Sequence, residues 1–312
     1  MSVVELISAT GMSRVSVQKE LKKLVAEGRV NRMGEPPRVY YSLAVTHADT
    51  PADASSLGIS GEAADYLATH FTMITPSGVE ISGVPGFAQW CKDRNITTIA
   101  EEANKYVAMH TKYDRMIMNG VIDATVKLHA TFGTDVHLRK LYFLHPYSIP
   151  VYGKTRIGEW LFIGKQTQNR DLMNRVLSEV VPVLREAIAR GGYDAVAFVP
   201  PTIPRTLQFI DLLRKSLSVV RELPILKVTR DIRVPQKSLK NLTDRIANAE
   251  STFIIPQNGL HLRSVLIVDD FTGSGSTLNV LAGIIRRQGI ADAVDGITIT
   301  GSMNGFEVIK EV

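Results

Sequence analysis

The stretch Val265-Leu-Ile-Val-Asp269-Asp270-Phe-Thr272-Gly273-Ser274-Gly275-Ser276-Thr277-Leu278 sets two adjacent carboxylates after an apolar run and follows them with small and hydroxylated residues. Paired carboxylates where a strand leaves a sheet can accept hydrogen bonds from two vicinal hydroxyls. A loop of Gly, Ser and Thr that opens a helix presents backbone N–H groups and hydroxyls to a phosphate. The combination fits a ribose 5-phosphate. No Lys follows Gly275, so this is not the lysine-bearing phosphate loop of nucleotide triphosphatases. Leu278 stands where a dinucleotide fingerprint needs its third glycine.

A second group of interest is basic. Residues 1–45 hold Arg14, Lys19, Lys22, Lys23, Arg29, Arg32 and Arg38 against four acidic residues, a local +3 in a chain whose total is +5. Ser2 to Thr10 reads as a short amphipathic helix, Gly11-Met12 as a turn, and Ser13 as the cap of a helix running to Glu27. Val17, Leu21, Leu24 and Val25 fall on one face of it, which leaves Arg14, Ser16, Gln18, Lys19, Lys22 and Lys23 outside. Strands are expected at Arg29–Met33 and Arg38–Leu43, around Gly34-Glu35-Pro36-Pro37.

The elements that must position these groups follow from length and pattern. With 312 residues, 45% hydrophobic and 21% charged, the chain exceeds one usual domain and is not disordered or collagenous. No apolar run approaches the ~18–20 residues of a membrane helix, and no basic-then-apolar leader opens the chain, so a cytoplasmic protein with no membrane partner is expected. Cys91, the single cysteine, excludes an intrachain disulfide and reads as a buried thiol beside Trp90. The seven histidines are scattered without metal-ligand spacing, so no side-chain metal cluster is expected and each reads as structural. A sequence pI near 9.2 mildly favours a polyanionic partner.

The expected organisation is a basic helical module at 1–45, a linker at 46–60, a helical segment at 61–145 and an α/β domain at 146–312. Within the helical segment, Glu62 to Phe71, Phe87 to Arg94 and a long stretch Ile99 to Phe132, whole or broken near Gly120, read as helices. Beyond it, Glu179–Ala189, Leu207–Leu217 and Leu278–Gln288 read as helices. Ala195–Val199, Ser264–Val268 and Gly296–Thr300 read as buried strands. That alternation predicts an α/β fold with a doubly wound, mostly parallel sheet whose ligands bind at strand C-terminal ends.

The Asp269–Thr277 stretch resembles the signature of type I phosphoribosyltransferases, which bind 5-phosphoribosyl 1-pyrophosphate (PRPP). The resemblance implies that Asp269 and Asp270 hold the ribose 2′- and 3′-hydroxyls. It implies that Thr272, Gly273, Ser274, Gly275, Ser276 and Thr277 cup the 5′-phosphate, and that Mg²⁺ enters with PRPP. The family loop usually reads Thr-Thr-Gly-X-Thr, and this chain has Gly273-Ser-Gly-Ser-Thr277. Upstream, Gly164-Lys165, Val199-Pro-Pro-Thr-Ile-Pro-Arg-Thr-Leu-Gln-Phe209, Arg230, Gln236–Leu239, Arg245–Asn248 and Phe253 are similar in order to the ComF family of competence-associated phosphoribosyltransferase-like proteins, over roughly residues 141–301. Where that family has Arg-Gly-Phe-Asn-Gln, this chain has Arg205-Thr-Leu-Gln-Phe209. The resemblance implies that Pro201, Thr202 and Arg205 sit at the pyrophosphate, with Arg230 and Lys237 on a flap that closes over it.

Residues 2–43 resemble a winged helix-turn-helix. In that family Arg14, Ser16, Gln18 and Lys19 would face DNA bases and Lys22, Lys23, Arg32 and Arg38 the backbone. The helix that normally precedes this pair is missing; either the start is truncated, or a later helix or a second subunit completes the small core. Joined, the two resemblances imply a transcriptional regulator that binds duplex DNA in response to PRPP or a nucleotide, a division of labour similar to that of purine repressors with phosphoribosyltransferase-like domains. The alternatives are an active phosphoribosyltransferase acting on a base and a ComF-like DNA-uptake accessory protein. Two recognition helices at fixed separation imply a homodimer.

Overall fold

The computed structural model describes residues 2–27, 29–34, 39–43, 53–228, 252–256, 259 and 261–303. The chain divides into two units, Met1–Asp53 and Ala54–Val312. In the first, Ser2 caps α1 (Val3–Thr10): its hydroxyl accepts from the Glu5 N–H at 3.3 Å, and the Glu5 carboxylate accepts from the Ser2 N–H at 2.8 Å. Ser13 caps α2 (Arg14–Ala26), accepting from the Ser16 N–H at 3.2 Å. β1 (Val30–Met33) and β2 (Tyr40–Leu43) pair antiparallel with Val30 opposite Leu43. Helix, turn, helix and ribbon thus follow in the expected order. Val17, Leu21 and Val30 are buried, and Val25 is exposed rather than part of the apolar face. Eight positions beyond Val17 it has rotated about 80° around the helix, to the margin of the stripe.

The second unit begins with α3 (Gly61–His70), the hairpin of β3 (Thr72–Ile74) and β4 (Glu80–Ser82), then α4 (Gly83–Asp93) and α5 (Ile99–Asp114). Leu67, Phe71, Phe87, Trp90 and Tyr106 form their common core. Cys91 lies fully buried in it, and burial pushes its thiol up to about 11, as the structural reading of this cysteine expects.

Of the two forms expected for 99–132, one long helix or two broken near Gly120, the structure has the broken one. The helix stops at Asp114, and β5 (Ile122–Asp123) and α6 (Thr125–Phe132) follow. Asn119 and Gly120, with φ of 54° and 78°, turn the chain back on itself, a conformation no helix continues through. β6 (Lys140–Pro146) also falls inside the segment expected to be helical. Its short apolar run is one that periodicity alone does not separate from a helix.

A small hairpin, β7 (Ser148–Ile149) and β8 (Gly153–Lys154), leads to α7 (Arg156–Thr167) and α8 (Arg170–Gly191). The sequence pattern gave no sign of α7, because Gly158 and Gly164 weaken its propensity. Gly158 is required: a Cβ there would lie 2.1 Å from the Tyr147 carbonyl oxygen. Then come β9 (Ala195–Phe198), α9 (Phe209–Leu217), the paired β10 (Leu226–Lys227) and β11 (Phe253–Ile254), β12 (Leu262–Thr272), α10 (Ser276–Arg287) and β13 (Ala291–Gly301).

The main sheet runs β5-β6-β13-β12-β9, with β5 antiparallel and the others parallel. Strand alternation divides its side chains between two cores. Val265 and Ile267 of β12 pack with α6 and α10, and Leu266 and Val268 pack with α7, α8 and α9. A mostly parallel sheet covered on both faces is the expected α/β class. Asp295, almost wholly buried within β13, is satisfied by a bidentate Arg139 at 2.9 and 2.7 Å and by the Tyr193 hydroxyl at 2.8 Å.

The helical layer is fastened to this body by Glu80. It accepts from both Arg175 nitrogens at 2.6 and 2.8 Å and from Trp160 Nε1 at 2.8 Å, while Arg175 lies 3.9 Å over the Trp160 ring. Among the described residues no helix is long and apolar enough to cross a membrane.

Candidate functional site

β12 carries Asp269 and Asp270 past the buried part of the sheet, with Asp269 opposite Thr298 and Phe271 opposite Thr300 of β13. Alternation sends the two carboxylates to opposite faces. Asp270 points toward α7 and is ion-paired with Lys165. Asp269 turns back, its Oδ1 accepting from the Asp270 N–H at 2.8 Å. The Thr300 hydroxyl donates to the Asp270 carbonyl at 3.2 Å, and Tyr147 meets the Phe271 ring edge-on at 4.9 Å.

The loop that follows is tightly built. Thr272, Ser274 and Ser276 are buried; Ser274 Oγ accepts from the Ser276 N–H at 3.3 Å and donates to Ser276 Oγ at 3.1 Å. Gly275 sits at φ 84°, a conformation that favours glycine, and a Cβ there would press to 3.1 Å on the ends of Leu128 and Leu141. Gly275, at the cap position of α10, has no side chain to offer, and Ser274 holds the Ser276 N–H from outside the helix, so the N–H groups that follow, around Thr277, are directed out of the helix start. Beside the loop lies Lys127 of α6, which donates to the Gly273 carbonyl at 2.6 Å and to the Ser302 carbonyl. Nothing local in the sequence points to Lys127, because it reaches the loop from another element of the fold.

The loop after β9 continues the sheet for one bond, the Val199 N–H donating to the Val268 carbonyl at 3.0 Å. Pro201 is exposed, and Thr202 accepts from Lys227 Nζ at 3.1 Å. Arg205 is partly buried and reaches Gln166 Oε1 at 3.4 Å, while Gln168 Oε1 accepts from the Leu207 N–H at 3.0 Å. The end of α7 therefore touches both loops: Lys165 reaches Asp270, and Gln166 and Gln168 reach the Arg205 turn. Arg230 and Lys237, the expected flap residues, lie outside the described residues. β10 and β11 stand on either side of that segment in the chain, with Lys227 opposite Phe253. Two carboxylates and the cations Lys127, Lys165, Arg205 and Lys227 are thus gathered around the C-terminal ends of β9 and β12, a donor set suited to a phosphorylated polyol.

In the first unit Arg14, Gln18, Lys19, Lys22, Lys23 and Arg32 are all exposed. The Ser16 hydroxyl is engaged with Ser13 at 2.9 Å, and Arg38 lies outside the described residues.

Histidines that lie scattered in the sequence are brought beside a carboxylate by the fold. His70, His110 and Asp114 offer ligand atoms within 4.8 Å of one another at the ends of α3 and α5. Tyr66 stacks on His70 at 4.0 Å between ring centroids, and its hydroxyl lies 2.8 Å from His110 Nδ1 while donating to Asp114. The local signal was His110 and Asp114 at i and i+4 of one helix. His70, forty positions earlier, joins them only through the packing of α3 on α5. His145, at the end of β6, is pushed down to about 4, chiefly by burial and further by Arg156 and His110.

No family model matches the chain, and no curated protein sequence matches it.

Proposed function

We propose that the chain is a DNA-binding regulator whose second unit binds PRPP or a nucleotide with Mg²⁺. The observation that carries this reading is the built loop Thr272–Ser276 directly after Asp269 and Asp270 at the end of a central parallel strand, where α/β sheets bind ligands. Asp269 and Asp270 would hold the ribose hydroxyls, Asp270 exchanging its pairing with Lys165 for the sugar. The loop and Lys127 would take the 5′-phosphate, and Arg205 with Arg230 and Lys237 the diphosphate. Mg²⁺ prefers carboxylate and phosphate oxygens, and paired aspartates at a strand end are donors of that kind. When bound, it would neutralise charge on the diphosphate. The exposed face of α2 supports the DNA-binding half of the reading: Arg14, Gln18 and Lys19 are free to reach bases, and Lys22, Lys23 and Arg32 to reach phosphates, as in a winged helix. A homodimer belongs to the same reading, since two such heads are needed for an operator.

One observation favours a second reading, an active phosphoribosyltransferase. The core of α3–α5 takes in Ile149 and Tyr152, just beyond the end of β6, so a helical layer stands at the ligand-binding end of the sheet where a base would need cover. Transfer there would need no nucleophilic side chain, only positioning and stabilisation of the leaving pyrophosphate.

The decisive experiment is thermal unfolding with PRPP and Mg²⁺. At ~100 Kd of ligand the wild type gains about 2.7 kcal/mol, and the Asp269→Asn, Asp270→Asn double variant gains nothing. An unmoved wild-type transition overturns the ligand assignment. Release of pyrophosphate with a panel of bases separates enzyme from regulator. In parallel, Lys22→Ala with Lys23→Ala should weaken duplex binding and flatten its salt slope by about 1–2. Sedimentation as a monomer with and without DNA would remove the homodimer.

A further inference from the structure

We propose that His70, His110 and Asp114 bind one divalent transition-metal ion of the Zn²⁺ class, with the remaining coordination position left to water or another oxygen ligand. The assignment is independent of the phosphoribosyl reading. It starts from where the chain puts these residues. His70 is the last residue of α3, Asp114 the last of α5, and His110 one turn earlier on the same face. Both helices therefore turn their C-terminal ends, each worth roughly half a negative charge, toward one point, which favours a cation there.

The distances suit a metal. Two ligands ~2.0–2.1 Å from a tetrahedral ion stand about 3.3 Å apart. His110 Nδ1 and Asp114 Oδ1 are 3.3 Å apart already. The third ligand lies within 4.8 Å, so His70, at a helix end, has only a short way to close.

The surrounding hydrogen bonds prepare the ligands. The backbone carbonyl of Tyr66 lies 3.0 Å from His70 Nδ1, the bond that fixes the proton on Nδ1 and presents the lone pair of Nε2. The Tyr66 hydroxyl has one proton and gives it to Asp114. His110 Nδ1, facing the phenol oxygen and the carboxylate, must then supply a proton of its own; a metal would take its place, the ring staying neutral with its proton on Nε2. The backbone behind His70 is anchored in turn, its carbonyl accepting from the Tyr106 hydroxyl at 3.0 Å.

Two imidazoles and one carboxylate select Zn²⁺, Co²⁺ or their neighbours over Mg²⁺ and Ca²⁺, which want oxygen throughout.

The test uses the untagged full chain, stripped with a chelator and titrated with Co²⁺. One equivalent should bind with the intense visible bands of a four-coordinate site and be displaced by one equivalent of Zn²⁺. His70→Gln and His110→Gln should each lose at least ~100-fold in affinity, while His261→Gln, on the exposed surface, keeps wild-type binding. Stoichiometric uptake that persists unchanged in both cluster variants overturns the proposal, as does the absence of a visible spectrum in the wild type. Should the variants fail to fold, carbethoxylation of the wild type mapped by mass decides. Zn²⁺ must protect His70 and His110 and leave His261 reactive; equal modification with and without Zn²⁺ overturns the site.

Discussion

The first unit and the second differ most in how much apolar surface they take from water. Among its described residues the first buries Val17, Leu21 and Val30, while Val4 and Val15 stay 74% and 76% exposed. The second encloses a five-stranded sheet between two cores and adds a third under α3–α5. At roughly 25 cal/mol per Å² of apolar area, a core as small as the first has little to set against chain entropy. The difference assigns different work to polar residues. In the second unit large apolar cores carry most of the scaffold, and polar groups such as Glu80 and Asp295 fasten it at particular points. In the first, the cap residues Ser2, Glu5 and Ser13 carry a large share of what order there is.

The largest effect expected from this contrast is a truncation in the second core. Leu184→Ala, at a fully buried position of α8, should lower the main unfolding transition by about 2–5 kcal/mol. Leu21→Ala in the first unit should leave that transition in place and abolish amide protection in α2 only. A main transition that falls equally in both variants would mean one cooperative structure and would end the comparison.

A smaller effect is expected where the helical layer is fastened. Glu80→Gln weakens the charge-assisted bonds to Arg175 and should loosen that layer by about 1.5 kcal/mol, which is somewhat over tenfold. Cys91 reports it directly, since its buried, high-pKa thiol is alkylated only when the layer opens. Arg175 draws the Glu80 carboxyl below its ordinary 4.5, against burial and with help from Trp160. A depressed folded-state pKa stabilises above the unfolded value and is lost as pH falls through the folded one. The stability difference between wild type and Glu80→Gln should therefore be full above about pH 4.5 and shrink below it. A difference that grows in acid would assign the fastening to something other than this charge.

What the sequence could show of these regions depends on whether the needed residues are contiguous. The run Val265–Leu278 carries strand, carboxylates, loop and helix start in one stretch, so its fold and chemistry are legible together. The partners that complete it are less so: Lys165 stands out only through the family resemblance, and Lys127 and Lys227, which arrive from separate elements, give no local signal. α7 was hidden by its glycines, one of which exists because a backbone carbonyl occupies the space of a Cβ. β5 and β6 were hidden by apolar runs too short to declare a period. His70, His110 and Asp114 were least legible, because two helices must pack before they share a point.

The smallest expected effect compares one kind of hydrogen bond in both units. Ser13 caps α2 through the Ser16 N–H at 3.2 Å, and Asn169 caps α8 through the Leu172 N–H at 3.0 Å. Removing either cap by substitution with Ala costs about 1 kcal/mol. In α8 that loss is a small part of the free energy holding a large core together, and its amides should exchange through global unfolding and remain strongly protected. In α2 the same loss is a large part of what keeps three buried side chains in place. Ser13→Ala should therefore raise α2 exchange about fivefold, close to the unprotected rate, and leave α8 unchanged. Asn169→Ala should speed α8 exchange by a similar factor from a far slower start, with no change in α2. The fold-changes match, and the remaining protection separates the units; strong residual protection of α2 in Ser13→Ala would show the first unit to be stabilised by more than the contacts within it.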